Sequence, residues 1–110
     1  MFNYTYTTLV SSQEYLIAAL ILNESIKKTN SSYPFLICLT ANLATENNIN
    51  ILNNENINFK IIPILEYSFP SNGKVNNTAS KINIFNLKNY DKILYIDADS
   101  YILKNIDHLF

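Results

Sequence analysis

The pattern of apolar and polar positions predicts a chain in which strands alternate with helices. Short runs rich in β-branched and aromatic residues, bounded by polar or turn-forming residues, are typical of strands. Such runs occupy residues 4–10, 35–39, 58–62 and 92–96. The segments between them predict helices at residues 15–28, 43–53 and 79–88, with a loop at residues 66–77. This order predicts right-handed crossovers and an α/β fold with a Rossmann-like, mostly parallel sheet.

The first predicted helix follows the first strand directly. Ser11, with Glu14 three residues later, matches a capping box and predicts the helix start. Residues 16–22 are all apolar, so we expect this helix to be buried on nearly every face. Lys27 and Lys28 indicate a solvated end, where positive charge suits the helix dipole.

The most distinctive stretch is the last predicted strand, an apolar run that ends in Asp97-Ala98-Asp99. Side chains of an extended chain alternate between faces, so the two carboxylates are expected to point the same way. Ligands of open α/β sheets bind beyond the carboxyl ends of the strands, and paired carboxylates there suit Mg²⁺ or Mn²⁺. The alternative is an ordinary strand end, because Asp is common where strands turn into loops.

Composition narrows the possible functions. The 110 residues suffice for one domain, and the net charge of −1 without a basic block gives no case for nucleic-acid binding. The single cysteine, Cys38, lies in an apolar run and is expected to be a buried thiol, which favours a reducing, cytoplasmic location. No apolar stretch is long enough to span a bilayer. With Gly73 as the only glycine, a dinucleotide fingerprint and a Walker loop are both excluded.

Five segments in this order resemble the N-terminal part of glycosyltransferase family 8, the glycogenin-like family, which has the GT-A fold. They read YTTLVSSQEY at residues 6–15, ALILNESIK at 19–27, SKINIF at 80–85, LYIDADSYIL at 94–103 and NIDHLF at 105–110. The fourth segment resembles the family's Asp-x-Asp (DxD) metal motif, and the third resembles the segment that carries a substrate-contacting lysine. The resemblance covers nearly the whole chain.

The resemblance implies a hexosyltransferase that transfers a sugar with retention from UDP-glucose or UDP-galactose, with Mn²⁺ as cofactor. Asp97 and Asp99 would hold the metal, and Ala98 would lie near the ribose. The remaining donor contacts that it implies are Leu9, Ser11 and Tyr15 to the uridine and Lys81 to the phosphates or the sugar. Tyr15 would stack on the base, as an aromatic ring suits a heterocycle. From spacing alone, Tyr15 would be a core residue of the first helical turn and Lys81 a solvated lysine.

The resemblance also implies a C-terminal half that the 110 residues do not include. In the family, the third metal ligand is a histidine of that half, and the residues at the reacting carbon and the acceptor lie there too. His108 follows the metal motif directly and is interpreted as a surface or turn histidine. We therefore expect residues 1–110 to form a single, incomplete nucleotide-sugar-binding domain with weak metal-dependent UDP binding and little turnover. An uncovered sheet edge would permit a homo-oligomer.

Three alternatives stay open on the residues alone. An inactive remnant of the fold would act as a nucleotide-binding or interaction module. A haloacid-dehalogenase-type phosphatase also has a strand ending in Asp-x-Asp, but it needs further acids downstream, where few residues remain. A sugar nucleotidyltransferase would need a glycine-rich phosphate loop near the N-terminus, and the sequence has none there.

Overall fold

The predicted α/β architecture is confirmed by a computed structural model, which describes residues 3–63 and 89–110. In order, the elements of these residues are β1 (Tyr4–Val10), α1 (Gln13–Lys28), β2 (Phe35–Thr40), a 3₁₀ turn (Ala41–Leu43), α2 (Glu46–Asn54), β3 (Asn58–Ile62), β4 (Lys92–Tyr95) and a second 3₁₀ turn (Asp107–Leu109). The four strands pair in parallel in the order β3-β2-β1-β4. The predicted loop at residues 66–77 and the helix at 79–88 lie outside the described residues.

The two central strands of the sheet, β1 and β2, are buried on both faces. The cluster on one face includes Tyr6, Val10 and Ile37 of the sheet and three α1 residues that are almost completely buried, Leu16, Ala19 and Leu22. The opposite face carries a smaller cluster of Leu9, Leu36, Cys38 and Ile62. Cys38 is buried as predicted, and burial raises the pKa of its thiol despite opposing contributions from Thr7 and Lys60. The thiol therefore has the character of a core group.

Helix α1 is buried on one face, not on nearly every face as predicted. The side chains of Ile17 and Ile21 are 57% and 53% exposed. With 3.6 residues per turn, the positions that include Leu16, Ala19 and Leu22 face the sheet, while the set that includes Ile17 and Ile21 faces away. The apolar run predicted the helix but not how much of it is covered. Within the described residues, no helix combines the length and apolar character that a membrane crossing requires.

The cap of α1 is Ser12, so the predicted capping box at Ser11 and Glu14 is wrong by one position. The Ser12 hydroxyl accepts a hydrogen bond of 3.3 Å from the Tyr15 amide, and the Ser12 backbone is extended as an N-cap residue requires. This bond satisfies an amide that has no partner within the helix.

Replacing the cap is expected to weaken the fold. Ser12→Ala removes the acceptor for the Tyr15 amide and should lower the free energy of unfolding by about 1 kcal/mol. Urea denaturation with a matched Ser11→Ala control measures the difference. Equal midpoints for the two variants would contradict the assignment of the cap.

Helix α2 begins at Glu46, three residues later than predicted. A 3₁₀ turn takes up the intervening chain, and the Thr45 hydroxyl caps the helix by accepting from the Asn48 amide at 3.2 Å. The side chain of Asn48 is buried and donates to the carbonyl of Leu43 at 2.9 Å. This buried polar contact holds the turn against the helix and fixes where the helix begins.

Strand β4 is shorter and less buried than predicted. It ends at Tyr95, before the carboxylates, and its residues after Lys92 are half-buried. In the described sheet it lies at an edge, paired with β1. Residues 101–103 are not part of a strand or helix, and the second 3₁₀ turn follows at Asp107–Leu109.

The last residues run back along α1 toward the amino edge of the sheet, which is the edge where the parallel strands begin. The Ile102 amide donates to the Ser25 hydroxyl at 3.0 Å, and the side-chain amide of Asn105 donates to the carbonyl of Thr29 at 3.1 Å. Phe110 then packs among tyrosine rings, with centroid distances of 5.3 Å to Tyr4, 4.9 Å to Tyr6 and 4.7 Å to Tyr33.

Asp107 joins this final segment to the sheet. One carboxylate oxygen accepts from the Tyr6 hydroxyl and from the Ser31 hydroxyl at 2.6 Å, and the other accepts from the Ser32 amide at 2.8 Å. Partial burial raises the pKa of this carboxyl, but the hydrogen bonds from Ser31, Tyr6, Ser32 and Asn105 outweigh it and leave the pKa below its ordinary value. Burial, followed by the bond to Asp107, raises the pKa of the Tyr6 hydroxyl far above its usual range.

Candidate functional site

The carboxyl edge of the sheet brings most of the predicted site residues together. Strands β1 and β4 pair from Tyr4 opposite Lys92 to Thr7 opposite Tyr95, and the Ile96 amide donates to the Thr7 carbonyl at 2.9 Å. Beyond this point β1 continues to Val10, while the chain after β4 turns. The segments at residues 9–15 and 97–99 therefore leave neighbouring strands at one edge, where ligands of open α/β sheets bind.

The two carboxylates lie on a turn, not on an extended strand. The Ser100 amide donates to the Asp97 carbonyl at 3.0 Å, with Ala98 and Asp99 in the turn between them. The predicted reason for a shared direction, alternation along a strand, therefore does not apply to Asp97 and Asp99. Both residues are exposed at this edge.

Ala98 anchors the turn that carries the carboxylates. Its side chain is only 5% exposed and belongs to the core cluster on the α1 face of the sheet. A larger side chain at this position would have to displace core residues, because protein interiors are close-packed. The small residue between the carboxylates thus has a packing reason that the sequence pattern alone did not reveal.

The side chain of Leu9 faces the core, away from a ligand at this edge. It is 8% exposed and packs with Leu36 and Cys38. Hydrogen-bonding directions alternate along a strand, so the peptide groups of Leu9 face the same side as those of Thr7, toward the chain that follows β4. A ligand would therefore meet the backbone of Leu9.

Ser11 and Tyr15 lie at the same edge, in the segment where the chain leaves β1 and begins α1. Ser11 is half-buried between β1 and α1, and Tyr15 lies in the first turn of α1 with its side chain 47% exposed. Tyr15 is therefore not the core residue that its spacing alone favours. An exposed aromatic ring at the carboxyl edge offers an apolar face to a flat ligand. Lys81, the remaining predicted contact, lies outside the described residues.

The carboxylates fit one part of a divalent-cation site. Residues 3–63 and 89–110 contain no group of three or more His, Cys, Asp and Glu side chains that could hold a metal. Asp97 and Asp99 would supply two oxygen-bearing side chains, and a diphosphate and water would supply the other ligands, as is usual for Mg²⁺ bound with nucleotides. His108 does not contribute, since it is exposed in the last 3₁₀ turn beside Asp107, toward the amino edge.

A comparison with protein families identifies the family to which the chain is similar. The family model described as glycosyl transferase family 8 matches residues 6–110 of the chain. The match includes all the predicted site residues.

Individual relatives agree with this match. The chain is 31% identical to the uncharacterised protein R707 of Acanthamoeba polyphaga mimivirus, over all of the chain and 41% of the relative. It is 32% identical to the putative UDP-glucuronate:xylan alpha-glucuronosyltransferase 4 of Arabidopsis thaliana, over 94% of the chain and 19% of the relative. Galactinol synthase 4 of the same plant is 27% identical, over 94% of the chain and 32% of the relative. The chain thus spans between about one fifth and two fifths of these relatives.

Proposed function

Because the chain belongs to glycosyl transferase family 8, we propose that its carboxyl edge is the donor and metal half-site of a UDP-sugar-dependent hexosyltransferase. The observation that carries this proposal is the meeting of the Asp97–Asp99 turn with the end of β1 and the start of α1 at one sheet edge. A relative named for UDP-glucuronate supports a UDP-sugar donor. UDP-glucose and UDP-galactose are the donors that we propose for this chain, with retention of the anomeric configuration.

Each proposed residue has a distinct task. Asp97 and Asp99 would hold Mn²⁺, which when bound would offset the negative charge that develops on the leaving diphosphate. The ring of Tyr15 would cover one face of the uracil, and the Leu9 backbone and Ser11 would contact the uridine. Ala98 would keep the turn close to the ribose. We place Lys81 at the phosphates or the sugar, on the family resemblance.

The test is a calorimetric titration of UDP-glucose into the purified chain, first with Mn²⁺ and then with EDTA. We expect weak, roughly millimolar binding that disappears when the metal is removed. Little sugar transfer is expected, since the family resemblance places the third metal ligand and the acceptor site outside these residues. Binding that is equally strong in EDTA would contradict the metal half-site, and efficient transfer by this chain would contradict the half-site interpretation.

A second candidate is an inactive remnant that keeps the fold and acts as a nucleotide-binding or interaction module. This candidate keeps the parallel α/β sheet and the family membership that the chain shows. A folded chain that binds neither Mn²⁺ nor UDP-glucose in the same titration would support an interaction module. Binding of UDP-glucose without a requirement for Mn²⁺ would support a nucleotide-binding module.

A further inference from the structure

The connection between β2 and α2 contacts the segment that joins β1 to α1. Both segments begin at the carboxyl edge, because β1 and β2 are parallel neighbours with Val10 opposite Leu39. Buried residues of α1 and α2 belong to one core cluster, so the two helices lie on the same face of the sheet. The first of these segments contains Ser11 and leads into the helical turn with Tyr15, the proposed contacts to the uridine.

Two reciprocal hydrogen bonds join the first turns of the two helices. Gln13 Nε2 donates to Asn48 Oδ1 at 2.9 Å, and Asn48 Nδ2 donates to Gln13 Oε1 at 3.1 Å. Asn48 is only 2% exposed, and its Nδ2 also donates to the carbonyl of Leu43 at 2.9 Å. Both acceptors of this amide's protons and a donor to its oxygen are therefore in place. A buried polar network that is fully satisfied in this way is rigid.

A second contact attaches the other end of the segment between β1 and α1. The Thr40 hydroxyl, at the end of β2, shares its proton between the carbonyl oxygen of Val10, at 3.3 Å, and Asn42 Oδ1, at 2.6 Å. Thr40 is itself only 1% exposed. The chain from Val10 to Gln13 is thus attached at both ends to the connection between β2 and α2. Such attachment removes alternative conformations of a loop before a ligand binds.

Neither helix needs the pair of side-chain amides in order to begin. Ser12 caps α1 by accepting from the Tyr15 amide at 3.3 Å, and Thr45 caps α2 by accepting from the Asn48 amide at 3.2 Å. The Gln13 residue is exposed, so water could solvate its side chain if the pair were absent. What the reciprocal bonds add is the position of one helical turn relative to the other.

We propose that Gln13 and Asn48 are positioning residues of the donor site, which hold Ser11 and Tyr15 in place for the uridine of a UDP-sugar. They act through these two residues and do not themselves contact the ligand. The Asp97–Asp99 turn follows β4, on the opposite side of β1 from β2, so the metal half of the site does not depend on the pair. This inference rests on the proposed function and extends it to the uridine half of the site.

The experiment is an NMR titration of the ¹⁵N-labelled chain with UDP in Mg²⁺, which accepts oxygen ligands as Mn²⁺ does and does not broaden the signals. Gln13→Ala removes both reciprocal bonds. It should bind UDP roughly 5-fold more weakly than the parent chain, a factor that corresponds to about one net hydrogen bond. The affinity for Mn²⁺ alone, measured from the paramagnetic broadening of amides 97–100, should not change. A role in stability alone would not separate the two affinities.

A matched control and a second variant complete the design. Asn47→Ala removes an amide side chain at an exposed position of α2 and should change neither affinity. Asn48→Ala should weaken UDP binding at least as much as Gln13→Ala. If Asn48→Ala does not fold, the comparison rests on Gln13→Ala, which alters an exposed residue.

The outcomes separate this inference from the donor site itself. UDP binding by the parent chain that Gln13→Ala leaves unchanged overturns the inference alone. Equal losses of UDP and Mn²⁺ affinity also overturn it, since they indicate a general loss of structure. No UDP binding by the parent chain overturns the donor site, and this inference with it.

Discussion

Replacement of both carboxylates, in the variant Asp97→Asn, Asp99→Asn, is expected to abolish Mn²⁺-dependent binding of UDP-glucose. The two side chains are the charged oxygen donors of the turn at the carboxyl edge, and neutral amides would not offset the charge of a divalent cation. The affinity should fall at least about 100-fold, because loss of the groups that merely orient metal ligands already costs roughly 10–100-fold. Calorimetric titration of parent and variant in the same Mn²⁺ buffer measures the change.

Urea denaturation of the double variant checks that it is folded before its binding is compared with that of the parent chain. The bond that closes the turn joins the Ser100 amide to the Asp97 carbonyl, so this bond remains available in the variant. Asp91→Asn is the matched control, since Asp91 lies at the opposite end of β4, where its carboxylate accepts from the Asn3 amide at 2.8 Å. If the double variant kept the parent's metal-dependent binding, the carboxylates would be no more than part of the turn that follows β4.

Removal of the Asp107 carboxylate is expected to have the largest effect on stability. Asp107→Ala would remove the acceptor for Ser31 and Ser32 and leave the hydroxyl of Tyr6, a residue only 1% exposed, without its partner. Hydrogen bonds to charged groups contribute about 1.5–3 kcal/mol, so the total loss should be about 2–4 kcal/mol. Urea denaturation at neutral pH provides the measurement, with the exposed His108→Ala as a neighbouring control.

The same carboxylate should also make the free energy of unfolding depend on pH in the acidic range. Its pKa is lowered in the folded chain, so its contribution is complete above the unfolded value of about 4 and is lost as the pH falls through the folded value. Asp107→Asn keeps the shape but not the charge, and its unfolding free energy should therefore fall less steeply below about pH 4. Parallel curves for parent and variant across this range would show that Asp107 does not contribute to acid sensitivity.

The amino-acid sequence by itself determined the local elements and the family. The bounds of β1 and β3 could be predicted because a run of β-branched and aromatic residues and the turn residues that flank it are adjacent in the chain. The parallel direction of the strands followed from the alternation of strands and helices. The Asp97–Asp99 pair could be identified for the same reason, and the family resemblance rests on five short segments in a fixed order along the chain.

The tertiary structure decided the features that depend on contacts between residues far apart in the chain. Ser12 rather than Ser11 caps α1, because the choice depends on how the chain leaves β1, and two adjacent serines carry no signal for it. The carboxylates lie on a turn because pairing with β1 ends at Tyr95. Asp107 bonds Tyr6 across 101 positions.

The same reason explains why the cavity of about 410 Å³ between α1 and the turn before β3 had no sequence signal. Asn23 lies on an apolar helix, Ile57 precedes β3, and Tyr101 follows the carboxylate turn. Nothing in the local pattern around any of them predicts that they meet. Local patterns determine elements, because the interactions that form an element lie within a few residues. Sites and tertiary contacts are decided by packing, which joins residues that no local pattern relates.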